Sequence, residues 1–373
     1  MRNFYSTFLI LKYKIIMPNF YKELKISAFD AISKAQEIAS SPMLFQTACI
    51  LLDHGVLSVL EKEKDGINVT DLCKKCDLNE YALGVLLDMA ASGQIVLVSD
   101  DHKYTLSKVG FFLLNDNMTK INLKFTQEIC YKAMASLEAS LVNGKAEGLA
   151  VFNKDWETIY PHLGELPEKA KKAWFDWDHL YSQTAFKQAI LEMDKLFKPK
   201  VIFDVGGNTG KFSIACCENI KDVKVKILDL PSQIQMAKEN IHAHGLDERI
   251  DFLECDILMD NKLPEGADIW WMSQFLDCFA PEHVLHILAG IKASIKDDAH
   301  VCILEPIADR QKFKAADFAI NAGSLYFTAV ANGYSRFFTT DMLTTLVEKA
   351  GFKVEKIIDN LGISNSLFIC KKA

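Results

Sequence analysis

The chain has 373 residues, 50% of them hydrophobic and 24% charged, with 18 glycines and 9 prolines. This composition excludes disordered, collagen-like and low-complexity classes and gives room for two or three domains. A formal net charge of -7, from 42 basic and 49 acidic residues, argues against a surface that coats nucleic acid and favours small neutral or cationic partners.

Ten cysteines over this length do not make a disulfide framework, so the expected setting is the cytoplasm, with reduced thiols. The start, Met1-Arg2-Asn3 followed by Phe4 to Leu11, resembles a signal peptide, but Lys12 and Lys14 interrupt the apolar run and no cleavage site follows. With Met17 as a second possible start, residues 1–16 read as an extension outside the folded domains. No uninterrupted apolar run reaches the length of a membrane span, so no membrane partner is expected.

Residues 17–116 read as a winged helix. Phe45 to Leu60 carries apolar residues at helical spacing, Asn68-Val69-Thr70 offers a cap before Asp71 to Cys76, and Asn79 to Ser92 forms the next helix, stopped by Gly93. Gln94 to Val98 and Lys103 to Leu106 then flank a four-residue turn as two strands. Such a unit binds DNA or pairs two subunits. Residues 44–116 hold six lysines, no arginine and eleven acidic residues, a net of -5, which argues against a DNA groove and for a homodimer. Cys73 and Cys76 have no second pair to complete a zinc site.

Residues 117–199 read as a mainly helical linker that contacts the substrate, broken near Asn143-Gly144 and punctuated by Pro161 and Pro167. From residue 200 to 373 strand-like runs alternate with helical patterns, at 201–205, 223–228, 250–254, 268–272 and 300–304, followed by a close pair at 352–358 and 366–370. The alternation predicts an α/β fold: a Rossmann-like, mostly parallel sheet of seven strands, covered on both faces. The final pair is joined by a loop too short for a crossover, so one of the two strands must be antiparallel.

The segment Asp204-Val205-Gly206-Gly207-Asn208-Thr209-Gly210 runs from a buried strand into a glycine-rich turn and a helix. It departs from the dinucleotide fingerprint, with Asn208 in place of the second glycine, and it lacks the Lys-Ser/Thr of a phosphate loop. It fits the D-x-G-x-x-x-G pattern of S-adenosyl-L-methionine binding, with Asp204 at the methionine end. Asp229 closes the next strand, where a carboxylate can accept from both ribose hydroxyls, and Asp256 closes the third, placed for the adenine amino group. Leu230 and Ile257 beside them, and Ser273 after the fourth strand, complete the expected cofactor contacts. The plainer alternative makes the three aspartates caps and turn residues only.

With these motifs, residues from about 30 to 373 resemble the O-methyltransferase family that includes plant caffeate and animal hydroxyindole enzymes and their bacterial relatives; Gly351-Phe352 belongs to the same pattern. The resemblance implies a methyltransferase sheet with its final strand reversed, an intertwined homodimer and a small acceptor bound between two domains. It also implies a Leu-His-Asp-Trp segment whose His is the general base. Here the run is Gln274-Phe275-Leu276-Asp277-Cys278-Phe279, which places Asp277 at that position. Glu305 matches the family's Glu after the fifth strand, whereas Ser335 stands where a second Glu is usual.

An ordinary Asp, with a pKa near 3.9, is a poor base for a phenol near 10. Three routes remain: Asp277 made more basic by Glu305, an acceptor that arrives already acidic, or a ring-carbon nucleophile whose phenol hydrogen-bonds Asp277. His179 is a further candidate base, or else a packing residue, and its helix supplies Trp177 as an expected acceptor contact. Phe318, Asn321 and Ser324 read as an aromatic wall with two polar handles, or as part of a core helix. His283 and His286 lack a carboxylate pair, so no metal is expected. The expectation is therefore a methyltransferase for a small aromatic acceptor, most simply at a phenolic oxygen. Ring-carbon methylation is the alternative within that class, and a cofactor-binding regulator is the alternative outside it.

Overall fold

The computed structural model describes residues 24–260 and 262–373; the expected extension, 1–16, lies outside them. The described chain forms two compact units, one ending at Glu128 and one running from Ile129 to Ala373.

In the first unit the sequence of elements is helix, turn, helix and wing. The expected helix over 45–60 is two helices, Ser41–Asp53 and Val56–Lys62, because Gly55 takes a left-handed conformation at φ +70 that ends one and starts the other. Asn68 and Asn79 act as N-caps, accepting from the N–H groups of Asp71 at 2.8 Å and Ala82 at 2.9 Å. The helices Val69–Cys73 and Glu80–Ser92 follow them. The wing strands are β1 (Val96–Val98) and β2 (Tyr104–Leu106), shorter than expected because Gln94 is left-handed. Ile67 adds a two-way backbone bridge to Tyr104 that periodicity did not reveal. Leu51, Leu57, Leu60, Leu72, Leu83 and Leu87 form the core of the unit.

In the second unit, the region read as mainly helical contains one 30-residue helix, Glu168–Phe197, started after Pro167 and ended at left-handed Lys198. Ala173, Trp174, Trp177, Tyr181, Ala185 and Ala189 recur at helical spacing along its buried face. The sheet that follows contains β3 (Val201–Val205), β4 (Lys224–Asp229), β5 (Ile250–Glu254), β6 (Ile269–Ser273), β7 (His300–Pro306), β8 (Phe352–Leu361) and β9 (Asn365–Lys372). Their order is β5-β4-β3-β6-β7-β9-β8, and β9 runs antiparallel to both its neighbours, β7 and β8, as the short final loop requires.

Both faces of the sheet are covered. Phe203, Val205, Trp270 and Met272 face one apolar layer, while Ile202, Ile227, Trp271 and Cys302 face the other. The order reverses direction at β3, between β4 and β6, and in such sheets the crevice beyond the strand ends at that switch point receives the ligand. Among the described residues, no single helix is long and apolar enough to cross a membrane.

Candidate active site

The turn after β3 is pressed against its surroundings. Gly206 has φ +72, and a Cβ there would lie 2.2 Å from the ring of Phe275. A Cβ on Gly207 would lie 2.8 Å from Ile227 and 2.9 Å from Asp204 Oδ2, so the backbone packs where a side chain has no room. Asp229 Oδ2 accepts from the N–H of Asn208 at 2.8 Å, and Oδ1 accepts from that of Leu230 at 2.7 Å, which ties the ends of β3 and β4 together. Each oxygen keeps a lone pair for a ligand hydroxyl. Burial raises the Asp229 carboxyl, and the two N–H donors partly offset the rise.

Asp204 sits on β3 between Ile227 and Trp271 in register, 2% exposed, and accepts from Ser213 Oγ at 2.6 Å. Burial pushes its carboxyl up to about 7; the Ser213 hydrogen bond opposes this and the charge of Asp229 adds to it. The cleft above is lined by Asp204, Gly206, Gly207 and Ser273 from the strand ends and by Asp178 and His179 from the long helix. Around it, Asn208 Oδ1, Ser273 Oγ, Gln274 Oε1 and His179 Nε2 are buried with no hydrogen-bond partner. Unsatisfied buried polar atoms are rare in folded proteins, and four about one cleft fit a polar ligand. The glycine cradle and the ring of donors and acceptors suit an adenosyl group with an amino-acid tail.

Asp277, in the short helical turn Leu276–Cys278 that follows β6, and Glu305, near the end of the adjacent β7, form a buried acid pair, 1% and 0% exposed. Glu305 Oε1 accepts from the N–H groups of Phe275 at 3.1 Å and Leu276 at 3.0 Å. Burial and the neighbouring Asp277 charge push Glu305 well above the usual carboxyl range. Burial also raises Asp277, to about 6, against hydrogen bonds from Glu305 and from Cys278, whose thiol is 3.4 Å from Oδ1. Desolvation thus raises both carboxyls of the pair, Glu305 further than Asp277.

His179 is differently placed. Its Nδ1 lies 2.9 Å from Lys211 Nζ, and an ammonium only donates, so Nδ1 is the acceptor and Nε2 carries the hydrogen. Burial and the Lys211 charge push the imidazole down to about 4. No lone pair is left on this ring for an acceptor proton. Ser335, at the position of the family's second Glu, donates to Asn332 Oδ1 at 3.0 Å and is buried.

The other expected residues are scattered. Asp256 is exposed at the end of β5 and caps Leu258 N–H at 3.1 Å, beside half-buried Ile257; Leu230 is 39% exposed. Gly210 begins the helix Lys211–Asn219. Trp177, Phe318, Asn321 and Ser324 do not line the cleft. Trp177 packs on Tyr326 and Phe337, and Ser324 Oγ accepts from Phe337 N–H at 3.3 Å. Asn321 donates to Asp317 at 3.0 Å, and Phe318 is 73% exposed. The helix Lys314–Tyr326 thus points Phe318 away from the core that holds Ser324. Sequence reading did not single out Asp178 and Lys211; their signal was adjacency, to His179 and to Gly210.

These features define a class: α/β enzymes that hold a nucleoside-bearing ligand at the carboxyl edge of a doubly wound sheet. Within that class the chain belongs to the O-methyltransferase domain family, which residues 147–353 match, and it is a methyltransferase; residues 33–104 match a Dimerisation2-like domain. Among curated proteins it is similar to 3-amino-4-hydroxybenzoate 4-O-methyltransferase of Streptomyces cremeus, 23% identical over 292 residues, 77% of this chain and 76% of that one. Among solved structures, mitomycin 7-O-methyltransferase has a TM-score of 0.70 at 19% identity, covering 92% of this chain and 98% of the other. An O-methyltransferase from neocarzinostatin biosynthesis, in complex with S-adenosylmethionine and 2-hydroxy-5-methyl naphthoic acid, has a TM-score of 0.64 at 16% identity, covering 90% and 96%.

Proposed function

We propose that this methyltransferase takes its methyl group from S-adenosyl-L-methionine and delivers it to a small aromatic acceptor, at a phenolic oxygen, working in the cytoplasm as a homodimer paired through the first unit. The observation that carries the reading is the glycine cradle between Asp204 and Asp229, opening on a cleft ringed by unsatisfied polar atoms, in a chain of this family. The relatives' names supply the aromatic acceptor: a hydroxybenzoate and a naphthoic acid.

When bound, the donor supplies a methyl carbon made electrophilic by a sulfonium. The protein's task is to align the acceptor and manage its proton. Asp229 holds the ribose and Asp204 the amino-acid end, with Ser273 beside the cleft and Leu230, Asp256 and Ile257 about the adenine. Asp277, ionised and braced by protonated Glu305, accepts the hydrogen bond of the acceptor hydroxyl. Full removal from an ordinary phenol to Asp277 is uphill by roughly 4 pKa units, about 5 kcal/mol. Asp277 therefore polarises the hydroxyl and takes its proton as the oxygen–methyl bond forms and the oxygen becomes acidic, the methyl leaving the sulfonium as a neutral thioether; from acidified phenols it takes the proton beforehand.

The same acid pair, standing where an imidazole is usual, favours one second reading. A ring carbon beside a phenol needs no prior loss of the O–H; a hydrogen bond to Asp277 raises its electron density, and after the methyl carbon bonds, one proton passes to Asp277 and the ring regains its aromaticity. Incubating the protein with labelled donor and a panel of phenols tests both: the expected product is an aryl methyl ether, and a label on a ring carbon selects the second reading. Absence of any heat of binding with S-adenosylhomocysteine would overturn the donor assignment itself.

A further inference from the structure

The carboxyl groups about the cleft fall into two pairs. Asp204 and Asp229 lie near the ends of the neighbouring strands β3 and β4, and the charge of Asp229 adds to the rise of Asp204. Asp178, half-buried on the long helix, opens on the same cleft. Desolvation pushes its carboxyl up to about 7, the charge of Asp277 adds to the rise and that of Lys211 opposes it. Charge coupling thus sets Asp178 with Asp277 and leaves Asp204 with Asp229. Among the described residues, no hydrogen bond or ion pair engages the Asp178 carboxylate, although its main-chain carbonyl accepts from Ser182 Oγ at 3.0 Å. The Lys211 ammonium donates to His179 instead, at 2.9 Å. Gln274, three residues before Asp277, lines the same cleft with its Oε1 buried and unpartnered. An ionised carboxylate and an amide oxygen only accept, so this end of the cleft is short of hydrogens, and a desolvated acceptor is costly until a ligand supplies one.

We propose that Asp178 selects the acceptor by receiving a hydrogen bond from a second donor group, a hydroxyl or an amine, on the ring whose phenolic hydroxyl Asp277 holds. The inference rests on the reading of the acceptor as a phenol at Asp277, and it narrows that class to hydroxyphenols and aminophenols. The group on Asp178 is oriented rather than methylated. A phenol with an apolar group in that place leaves the carboxylate desolvated and without a donor. A purely internal role, in which Asp178 only balances the charge of Lys211, predicts no dependence on the ring's second substituent.

Steady-state methylation by the full chain separates these roles. The acceptors are phenols with a hydroxyl or an amino group at the ortho or meta position, each measured beside the methylphenol of the same pattern. The methyl group matches the size of the group it replaces and offers no polar hydrogen. The native protein is expected to prefer, in kcat/KM, a hydroxyphenol or aminophenol over its methyl partner by about tenfold or more, the size of one hydrogen bond to a charged group. Asp178→Leu, similar in volume and without an acceptor, should erase that preference, and Asp178→Asn, which keeps an acceptor oxygen, should retain part of it. Intrinsic ring reactivity cancels when the preference is compared between native protein and variant. No preference in the native protein, or one undiminished in either variant, overturns the proposal and leaves the phenol reading intact. Calorimetry with S-adenosylhomocysteine adds a second check: a loss of its affinity in the variants as large as the loss in acceptor rate assigns Asp178 to the donor and overturns the proposal. Methylation of no phenol in the panel, by protein that binds S-adenosylhomocysteine, overturns the phenol reading and the proposal together.

Discussion

The two ends of the active-site region are built by different means. The glycine turn is local: Asp204, Gly206, Gly207 and Asn208 are near neighbours in the chain, and their geometry is set by backbone N–H groups and by close packing on Ile227 and Phe275. The acid pair is remote: Asp277 and Glu305 meet only because β6 lies beside β7, and their protonation follows from shared burial. A local site depends on shape and registers as affinity. A remote titrating pair depends on its surroundings and registers as rate and pH dependence.

The largest expected effect tests the second half of this contrast. Asp277→Asn should lower turnover by about 10² to 10⁴-fold, the usual worth of a proton-handling group, with donor affinity little changed. In the native protein the rate should rise with pH through about 6 as Asp277 ionises, and the variant should lose that limb. Steady-state rates beside calorimetry decide the matter: an equal loss of affinity and rate would erase the distinction between the two ends.

Asp204→Asn attacks the other end and should weaken S-adenosyl-L-methionine binding by about 10 to 100-fold, as for a lost hydrogen bond to a charged group. Because burial pushes Asp204 up to about 7, the carboxyl is protonated below that pH and ionised above it. Affinity of the native protein for the cationic donor should therefore rise as pH passes upward through about 7, and titrations of the Asn variant should be flat there. Asp256→Ala should be the mildest, about 2 to 10-fold in affinity with the fold retained, since this exposed side chain makes only a local cap to Leu258. A loss as large as that at Asp204 would move Asp256 from the periphery to the centre of the site.

How far each feature could be read ahead of the structure follows the same divide. The parallel sheet, its reversed final strand and the wing were legible because alternating periodicity and short connections are local signals. The glycine turn after β3 was legible for the same reason. The split at Gly55 was missed because apolar spacing runs through a residue whose backbone reverses. His179 read as a candidate base from its residue type and from its helix, which precedes the strand ending in the glycine turn, and only the structure brings Lys211 to its Nδ1 across 32 positions. Phe318 read as a pocket wall, yet it is exposed, since helical spacing tells which residues share a face and not where that face points.

What the amino-acid order determined by itself is the class of fold and the place of the glycine turn after β3. These are properties of neighbours along the chain, where hydrogen-bond geometry and side-chain size act within a few residues. The tertiary structure alone decided which carboxyls are buried together, which ring nitrogen faces Lys211 and which aromatic side chains reach the core. Those follow from desolvation and from charges brought together by packing, and burial is a property of the folded chain as a whole.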